Sequence, residues 1–318
     1  MNTLENPAAQ MSSVPNVLIG ERPLRAVLIA HSAWQQKKPG GIRADLTGGS
    51  FNDLKLPRMN IAGAILRSSN WLNTDLAGAD FSAALLDQAD FRQAMLAQTD
   101  LTGADLSNTN FEGSWLRMAN LSETTLSASN FHRARMEGAR LLETKVHETN
   151  FSNAELRSTG WHQSRIFRCQ FSDADLESAL FYNARLQFCR LVSIRGVGCN
   201  FSNATVQDCE FLRANFTGGK FNGSKLERNS FRDANFRNAD FREARINGSS
   251  FQNAIFEGAR FLGANCMGAD FRGTNLKGAR EFSAEMLSQS RTDQHSILPN
   301  GASGPYCKGS GAERPAMR

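Results

Sequence analysis

Every fifth residue from Leu46 to Leu276 is a sizeable apolar side chain: Leu46, Phe51, Leu56, Ile61, Leu66, Trp71, Leu76, Phe81 and onward to Phe271 and Leu276. Gly196 is the one exception, with Cys266 counted as apolar. Two residues before each stands a mostly small one (Ala79, Ala84, Ala89, Ala94, Thr99, Ala104), and none is charged in a chain where 21% of residues are. Helices repeat every 3.6 residues and strands every two, so period five demands a third architecture. The aromatic composition agrees, with 22 Phe against 2 Tyr and 4 Trp. Phenylalanine is the aromatic that can be buried without a hydrogen-bond partner, and its dominance points to dry, repetitive stacking.

The segments ADFSAALLDQADFRQAMLAQTDLTGADL and ANFRNADFREARINGSSFQNAIFEGARFLGANCMGADF carry the unit A-(D/N)-(L/F)-x-x and resemble the pentapeptide-repeat family over about residues 42–280. The resemblance implies an all-β, right-handed quadrilateral β-helix of four units per coil, the central Leu/Phe and the preceding small residue pointing inward. Residues twenty apart then stack. One ladder reads Phe51, Trp71, Phe91, Phe111, Phe131, Phe151, Phe171, Leu191, Phe211, Phe231, Phe251, Phe271, and its neighbour runs aliphatic from Leu46 through Leu126 and Val206 to Cys266. Like sits on like. About 12 coils at ~4.8 Å spacing would make a rod roughly 55–60 Å long, and both ends need caps because each coil is covered only by its neighbours.

Residues 1–22 are expected to be disordered or extended, and 23–41 to form a capping helix. Pro23 suits the first turn, Leu24, Val27, Leu28, His31 and Trp34 share one face, and Lys37-Lys38 before Pro39-Gly40-Gly41 suit the end. The His31-x-x-Trp34 segment is similar to one found in bacterial members of the family. At the other end the phase breaks at Glu281. Residues 281–300 read as a C-terminal cap with Ser283 as helix N-cap and Met286 and Leu287 against the last coil, and 301–318 as a disordered tail.

Chemistry-bearing residues are sparse. Cys169, Cys189 and Cys209 lie twenty apart at the inward small position and should stack; without a histidine or acid in that ladder they read as small buried thiols in place of alanine, and no metal or cofactor is expected. Gly196 with the unusually large Ile194 reads as local repacking. The histidines of the coils, His132, His147 and His162, point outward with no nucleophile in register, so no catalytic residues are assigned. Charge is more informative. Asp75, Asp80, Asp87, Asp90, Asp100 and Asp105, with Glu112, face Arg92 alone between residues 73 and 112, whereas 161–280 is rich in Lys and Arg, with Arg232, Arg237, Arg242 and Arg245 circling one level. These acidic and basic bands are the candidate interaction surface.

The function expected is non-enzymatic: an interaction scaffold or adaptor offering a rigid surface to a protein partner, in the cytoplasm or delivered as an effector. Two alternatives stand beside it. The first is the topoisomerase-binding role that the resemblance suggests, in which an acidic rod imitates duplex DNA; the net charge of +5 speaks against this. The second is nucleic-acid binding through the basic half, for which outward aromatics between Arg232, Arg237 and Arg242 are missing. No small-molecule substrate is expected. Phe282, Met286 and Leu287 would serve either capping or homodimerisation. No stretch is apolar enough for a membrane span and no basic, apolar leader opens the chain, which makes the cytoplasm the default compartment with leaderless secretion left open.

Overall fold

The structure, a computed structural model, describes residues 17–19 and 21–315. The expectation for residues 1–16 therefore lies outside the described residues. The chain divides into two compact units, residues 1–154 and 155–318, and each is a stack of parallel β-coils in which residue i bridges residue i+20. Four sides follow from this pairing. In the first unit, side A carries the outward column Asp45, Ile65, Leu85, Asp105, Thr125, Lys145; side B carries Ser50, Asn70, Asp90, Asn110, Asn130, Asn150; side C carries Lys55, Asp75, Met95, Trp115, Arg135; side D carries Asn60, Asp80, Asp100, Asn120, Arg140. The same four sides recur in the second unit.

The repeat makes a corner because its backbone hydrogen bonds close both along the chain and across it. The small inward residue donates its N–H to the carbonyl of the central residue three back (Ala79 to Leu76, 3.0 Å; Ala84 to Phe81, 3.0 Å), and the central N–H donates to the next coil (Phe81 to Asp100, 2.7 Å). Between them, the second residue after the central one takes the left-handed conformation at every corner, as Gly in some coils and as Asn, Asp, Gln, Glu or Arg in many others. Glycine is thus not needed at these corners. The cost of a side chain at φ near +55°, about 1 kcal/mol, is met by the ladder hydrogen bonds on either side.

In the first unit the central residues fill the coil interior. Phe51, Trp71, Phe91, Phe111, Phe131 and Phe151 are fully buried, and successive rings stack at 3.9, 5.8, 5.1, 4.6 and 5.1 Å. Trp71 satisfies its indole N–H on Ser69 Oγ at 2.7 Å, the polar handle that a buried tryptophan requires. The open end is covered by helix α1 (Leu24–Gln35), which Pro23 precedes as N-cap. Two short strands, β1 (Leu18–Ile19) and β2 (Arg22–Pro23), pair antiparallel ahead of it. Leu24, Leu28 and His31 are its buried face, while Trp34 stays 38% exposed, with its ring stacked 5.2 Å from His31. His31 locks the helix on: Nδ1 accepts the Ala44 N–H at 3.0 Å and Nε2 donates to the Ala62 carbonyl at 3.1 Å. Burial is the main cause that holds its pKa below 6.5.

In the second unit Phe171, Phe211, Phe231, Phe251 and Phe271 occupy the same interior position and are buried. Towards the end three ladders are aromatic at once, so rings stack along each ladder (Phe231–Phe251, 5.0 Å; Phe236–Phe256, 4.9 Å; Phe241–Phe261, 5.4 Å) and meet edge to face between ladders (Phe236–Phe241, 5.2 Å). Gly196 marks where this aromatic filling begins. A Cβ there would stand 2.9 Å from Cδ1 of Phe216, twenty residues on, so the missing side chain is replaced by the ring above it.

The coils do not stop at residue 280. Helix α2 (Ala284–Gln289), capped by Ser283 Oγ accepting the Met286 N–H at 3.2 Å, is an excursion between coils. Beyond it Arg291 bridges Asp270 and Ile297 bridges Asn275, with the spacing stretched by one and two residues. Phe282 and Leu287 are each 1% exposed, Phe282 lying edge-on to Phe261 and Phe271. Residues 301–315, read from composition as a disordered tail, instead fold back: Ser303 pairs antiparallel with Ile297, the Asn300 N–H donates to the Ala312 carbonyl, and Ala312 is 3% exposed. Hydrogen bonding to the last coil orders a segment too polar to build a core of its own.

Side A differs from the other three. Here the corner opens into three-residue strands: β3 (Thr125–Ser127) and β4 (Lys145–His147) in the first unit, and β5 (Arg165–Phe167), β6 (Arg185–Gln187), β7 (Thr205–Gln207) and β8 (Lys225–Glu227) in the second. The inward residue after β6, β7 and β8 sends its N–H across to a side chain of the next coil: Cys189 to Cys209 Sγ (3.3 Å), Cys209 to Asn229 Oδ1 (2.9 Å), Asn229 to Ser249 Oγ (3.0 Å). The stacked thiols are therefore more than substitutes for alanine; they belong to a polar ladder that satisfies the backbone of the wide corners. Burial raises the pKa of Cys199 and Cys209 and pushes Cys266 up to about 12, whereas hydrogen bonds from the Cys169 and Cys209 thiols draw Cys189 down.

Candidate interaction surface

The six aspartates of the acidic band do not share a face. Asp105 is on side A, Asp90 on side B, Asp75 on side C and Asp80 with Asp100 on side D, and only the last two are direct neighbours in a column. Five of the six spend one carboxylate oxygen on their own corner, accepting the N–H two residues on: Ala77 by Asp75 (3.1 Å), Ser82 by Asp80 (2.9 Å), Arg92 by Asp90 (3.0 Å), Thr102 by Asp100 (2.9 Å) and Ser107 by Asp105 (3.1 Å). This is an Asx-type turn, and it explains why Asp or Asn precedes the central residue so often. Asp87 is tied instead to Arg67 at 2.8 Å, and Asp90 also to Arg92 at 2.6 Å.

The four arginines of the basic band lie within one coil on successive corners. Arg237 pairs with Glu257 (2.9 Å) and Arg242 with Asp240 (2.6 Å), the latter holding the Asp240 pKa below the usual carboxylate range. Arg232 and Arg245 have no ion-pair partner among the described residues. Pairing of arginine with a carboxylate one turn or one coil away is frequent in this unit: Arg157 and Arg195 meet Asp175, Arg190 meets Glu210, Arg228 meets Asp208 and Arg272 meets Asp270.

Side A of the second unit gathers unpaired cations into one column. Its outward column runs Arg165, Arg185, Thr205, Lys225, Arg245. All four cations are exposed, and none has an ion-pair partner among the described residues. Aromatic side chains flank the first two rungs. Phe188 is 53% and Tyr182 41% exposed, Phe167 meets Phe188 edge-on at 5.5 Å, and Arg168 lies 5.0 Å from the Phe167 ring. The reading of charge bands missed this column because it counted residues along the chain rather than at intervals of twenty. The signal was present: Phe167, Tyr182 and Phe188 are aromatics outside the five-residue register, and such residues have nowhere to go but outward.

A smaller patch on side C of the first unit has the same origin. Met95 and Trp115 stack in one column with Met118 beside them, 40%, 51% and 54% exposed, and the Arg135 guanidinium covers the indole at 4.4 Å. In the second unit a cleft of ≈ 690 Å³ is lined by Arg237, Glu257, Lys277, Arg280 and the returning residues Pro299 and Pro315. Among the described residues no three His, Cys, Asp or Glu side chains are grouped as metal ligands would be, and no helix is long and apolar enough to cross a membrane.

Five-residue units, four to a coil, with apolar stacks inside and every charge outside, define a parallel β-solenoid. The chain belongs to the pentapeptide-repeat family. Family models described as "Pentapeptide repeats (8 copies)", "Pentapeptide repeat region" and "Pentapeptide repeats (9 copies)" match residues 58–157 in four overlapping segments, 164–233 and 231–275. No curated protein matches the sequence. Among solved structures it is similar to a pentapeptide repeat protein of the Arabidopsis thaliana thylakoid lumen (29% identity over 31% of this chain and 68% of that one, TM-score 0.30). It is also similar to HetL, a pentapeptide repeat protein involved in heterocyst differentiation regulation in Nostoc sp. strain PCC 7120 (21%, 87% and 97%, TM-score 0.24). A third is QnrB1, a plasmid-mediated fluoroquinolone resistance protein (14%, 73% and 82%, TM-score 0.28).

Proposed function

We propose that the chain is a non-catalytic interaction scaffold, which holds a protein partner on the flat outer sides of its coils. The observation that carries this reading is the placement of large apolar side chains against the register. A repeat that buries its central residues completely has no need of Trp115, Met118, Tyr182 or Phe188 for folding, yet these are half-exposed and grouped beside arginines. Aromatic side chains with arginine are the composition of energetic centres in protein interfaces. The filled interior supports the same reading, since stacked rings and aliphatic side chains occupy the centre of the described coils.

An acidic imitation of duplex DNA fits less well. Such a mimic needs aligned and available negative charge, whereas the aspartates here are spread over four sides and bonded to their own corners. The test is affinity capture with the tagged chain, compared with Trp115→Glu and with Tyr182→Ser/Phe188→Asn. A partner held by the parent chain and lost by either variant upholds the scaffold reading. A partner retained equally by all three, or turnover of a small molecule by the purified chain, sinks it.

A further inference from the structure

We infer that side A of the second unit is the docking surface for an extended acidic polypeptide segment that lies along its column of cations. The inference deepens the scaffold reading and rests on it. Arg165 stands directly opposite Arg185 on adjacent strands β5 and β6, and Lys225 directly opposite Arg245. Like charges in directly paired positions repel, so folding alone gives no reason for either pair. Several arginines elsewhere in the unit are answered by carboxylates, as with Arg190 and Glu210 or Arg228 and Asp208, and the unanswered Arg232 stands alone rather than opposite a second cation. A column that repeats the same uncompensated charge, on the one side where the backbone forms continuous strands, is complementary to something negative from outside.

Its geometry selects the form of that partner. The rungs are about 4.8 Å apart, so the four cations, with Thr205 at the centre, occupy five successive rungs in a line. An extended polypeptide running along the column presents alternate side chains at about 6.7 Å intervals on one face, a mismatch that the long Arg and Lys side chains absorb. Phe167, in β5 two residues from Arg165, and the exposed Phe188 that it meets edge-on offer apolar contact to residues between the acidic ones. The central rungs argue against a nucleic-acid strand. Glu227 accepts the Gln207 amide at 3.3 Å, and Asp208 is held by Arg228 at 2.8 Å, so carboxylates sit beside the column at its middle. A phosphodiester, charged at every unit, would meet them; a polypeptide carries charge only where a cation answers it.

The measurement is fluorescence anisotropy of a labelled peptide alternating glutamate and leucine, titrated with the full chain at physiological salt. Binding is expected, weakening at least about tenfold in Arg165→Glu/Arg185→Glu and again in Lys225→Glu/Arg245→Glu, and changing less than about twofold in Arg232→Glu, a cation off the column. Phe188→Asn, which keeps a residue suited to the left-handed backbone, is expected to weaken binding without altering its salt dependence. Circular dichroism of each variant confirms that the coils remain. No binding by the parent chain, equal loss in Arg232→Glu, or tighter binding of single-stranded oligothymidylate than of the peptide would overturn the inference. A partner captured through the Trp115 patch in the same circumstances would leave the scaffold reading standing.

Discussion

Two outward columns show what the repeat needs and what it leaves over. On side B of the first unit, Asn70, Asp90, Asn110, Asn130 and Asn150 each accept the backbone N–H two residues on, at 3.0 to 3.2 Å. The last three also chain amide to amide along the column, Asn130 to Asn110 at 3.1 Å and Asn150 to Asn130 at 3.3 Å. On side A of the second unit, Arg165, Arg185, Lys225 and Arg245 occupy the same place in the repeat, and their side chains make no hydrogen bond or ion pair among the described residues. A short polar side chain can reach its own corner and becomes part of the fold; a long cation cannot, and it either meets a carboxylate in the neighbouring coil, as Arg190 and Arg195 do, or stays available. Charge at this position therefore has two meanings. Asp and Asn are folding chemistry, and Lys and Arg are surface.

The comparison can be broken at several points, and the inward residues give the largest effects. Phe171→Asp should abolish folding by placing an unpaired carboxylate in a fully buried stack, a loss above about 4 kcal/mol, while Asp173→Lys on the outer corner should stay within about 0.5 kcal/mol. Urea titration followed by circular dichroism separates the two. Gly196→Ala comes next. The added methyl collides with the Phe216 ring and should cost about 1–3 kcal/mol in the same assay, with Phe216→Leu restoring part of it.

The end of the first unit should respond to pH through His31. Burial lowers its pKa in the folded chain from 6.5, so the unfolded chain takes up the proton first. The stability contributed by the docked helix is then complete above pH 6.5 and declines as pH falls below it towards the lowered value. Protonation would also turn the acceptor Nδ1 into a donor facing the Ala44 N–H. The protection of the Ala44 amide against hydrogen exchange, taken relative to the intrinsic rate at each pH, should fall below pH 6.5 ahead of the coil interior; uniform protection across both would contradict the lock.

Smaller effects sharpen the contrast between columns. Asp100→Ala removes the acceptor for both the amide and the hydroxyl of Thr102 and should cost about 1 kcal/mol. Arg185→Gln should cost nothing measurable, within about 0.5 kcal/mol, and relief of its repulsion with Arg165 favours a slight gain. If the arginine change were the more damaging of the two, the division between folding and surface charge would be wrong.

Much of this was legible in the sequence. The inward ladder and helix α1 follow from which residues recur and where the recurrence starts, while four units per coil is what the resemblance to the pentapeptide-repeat family implies. The interaction surface was legible only in part. Asp75, Asp80, Asp90, Asp100 and Asp105 could be placed as outward, but grouping them as one acidic band treated neighbours in sequence as neighbours in space. Ion pairs such as Arg237–Glu257 and Arg228–Asp208 join residues twenty apart, and they determine which charges are already spent. Glu281 was visible as a break in phase, yet not as a loop after which the coils resume, because Arg291 and Ile297 rejoin at stretched spacings with no periodic signal.

The sequence by itself determined the repeat, its inside and its outside, since a five-residue period of large apolar side chains has one economical way to be buried and leaves the other positions in water. What only the tertiary structure decided is how the outside is arranged. The wide corners of side A depend on N–H groups reaching a side chain in the next coil, as Cys209 does to Asn229. The exposed cation column depends on which residues fall into register twenty apart. Neither is a property of a single five-residue unit; both arise from the contact between coils.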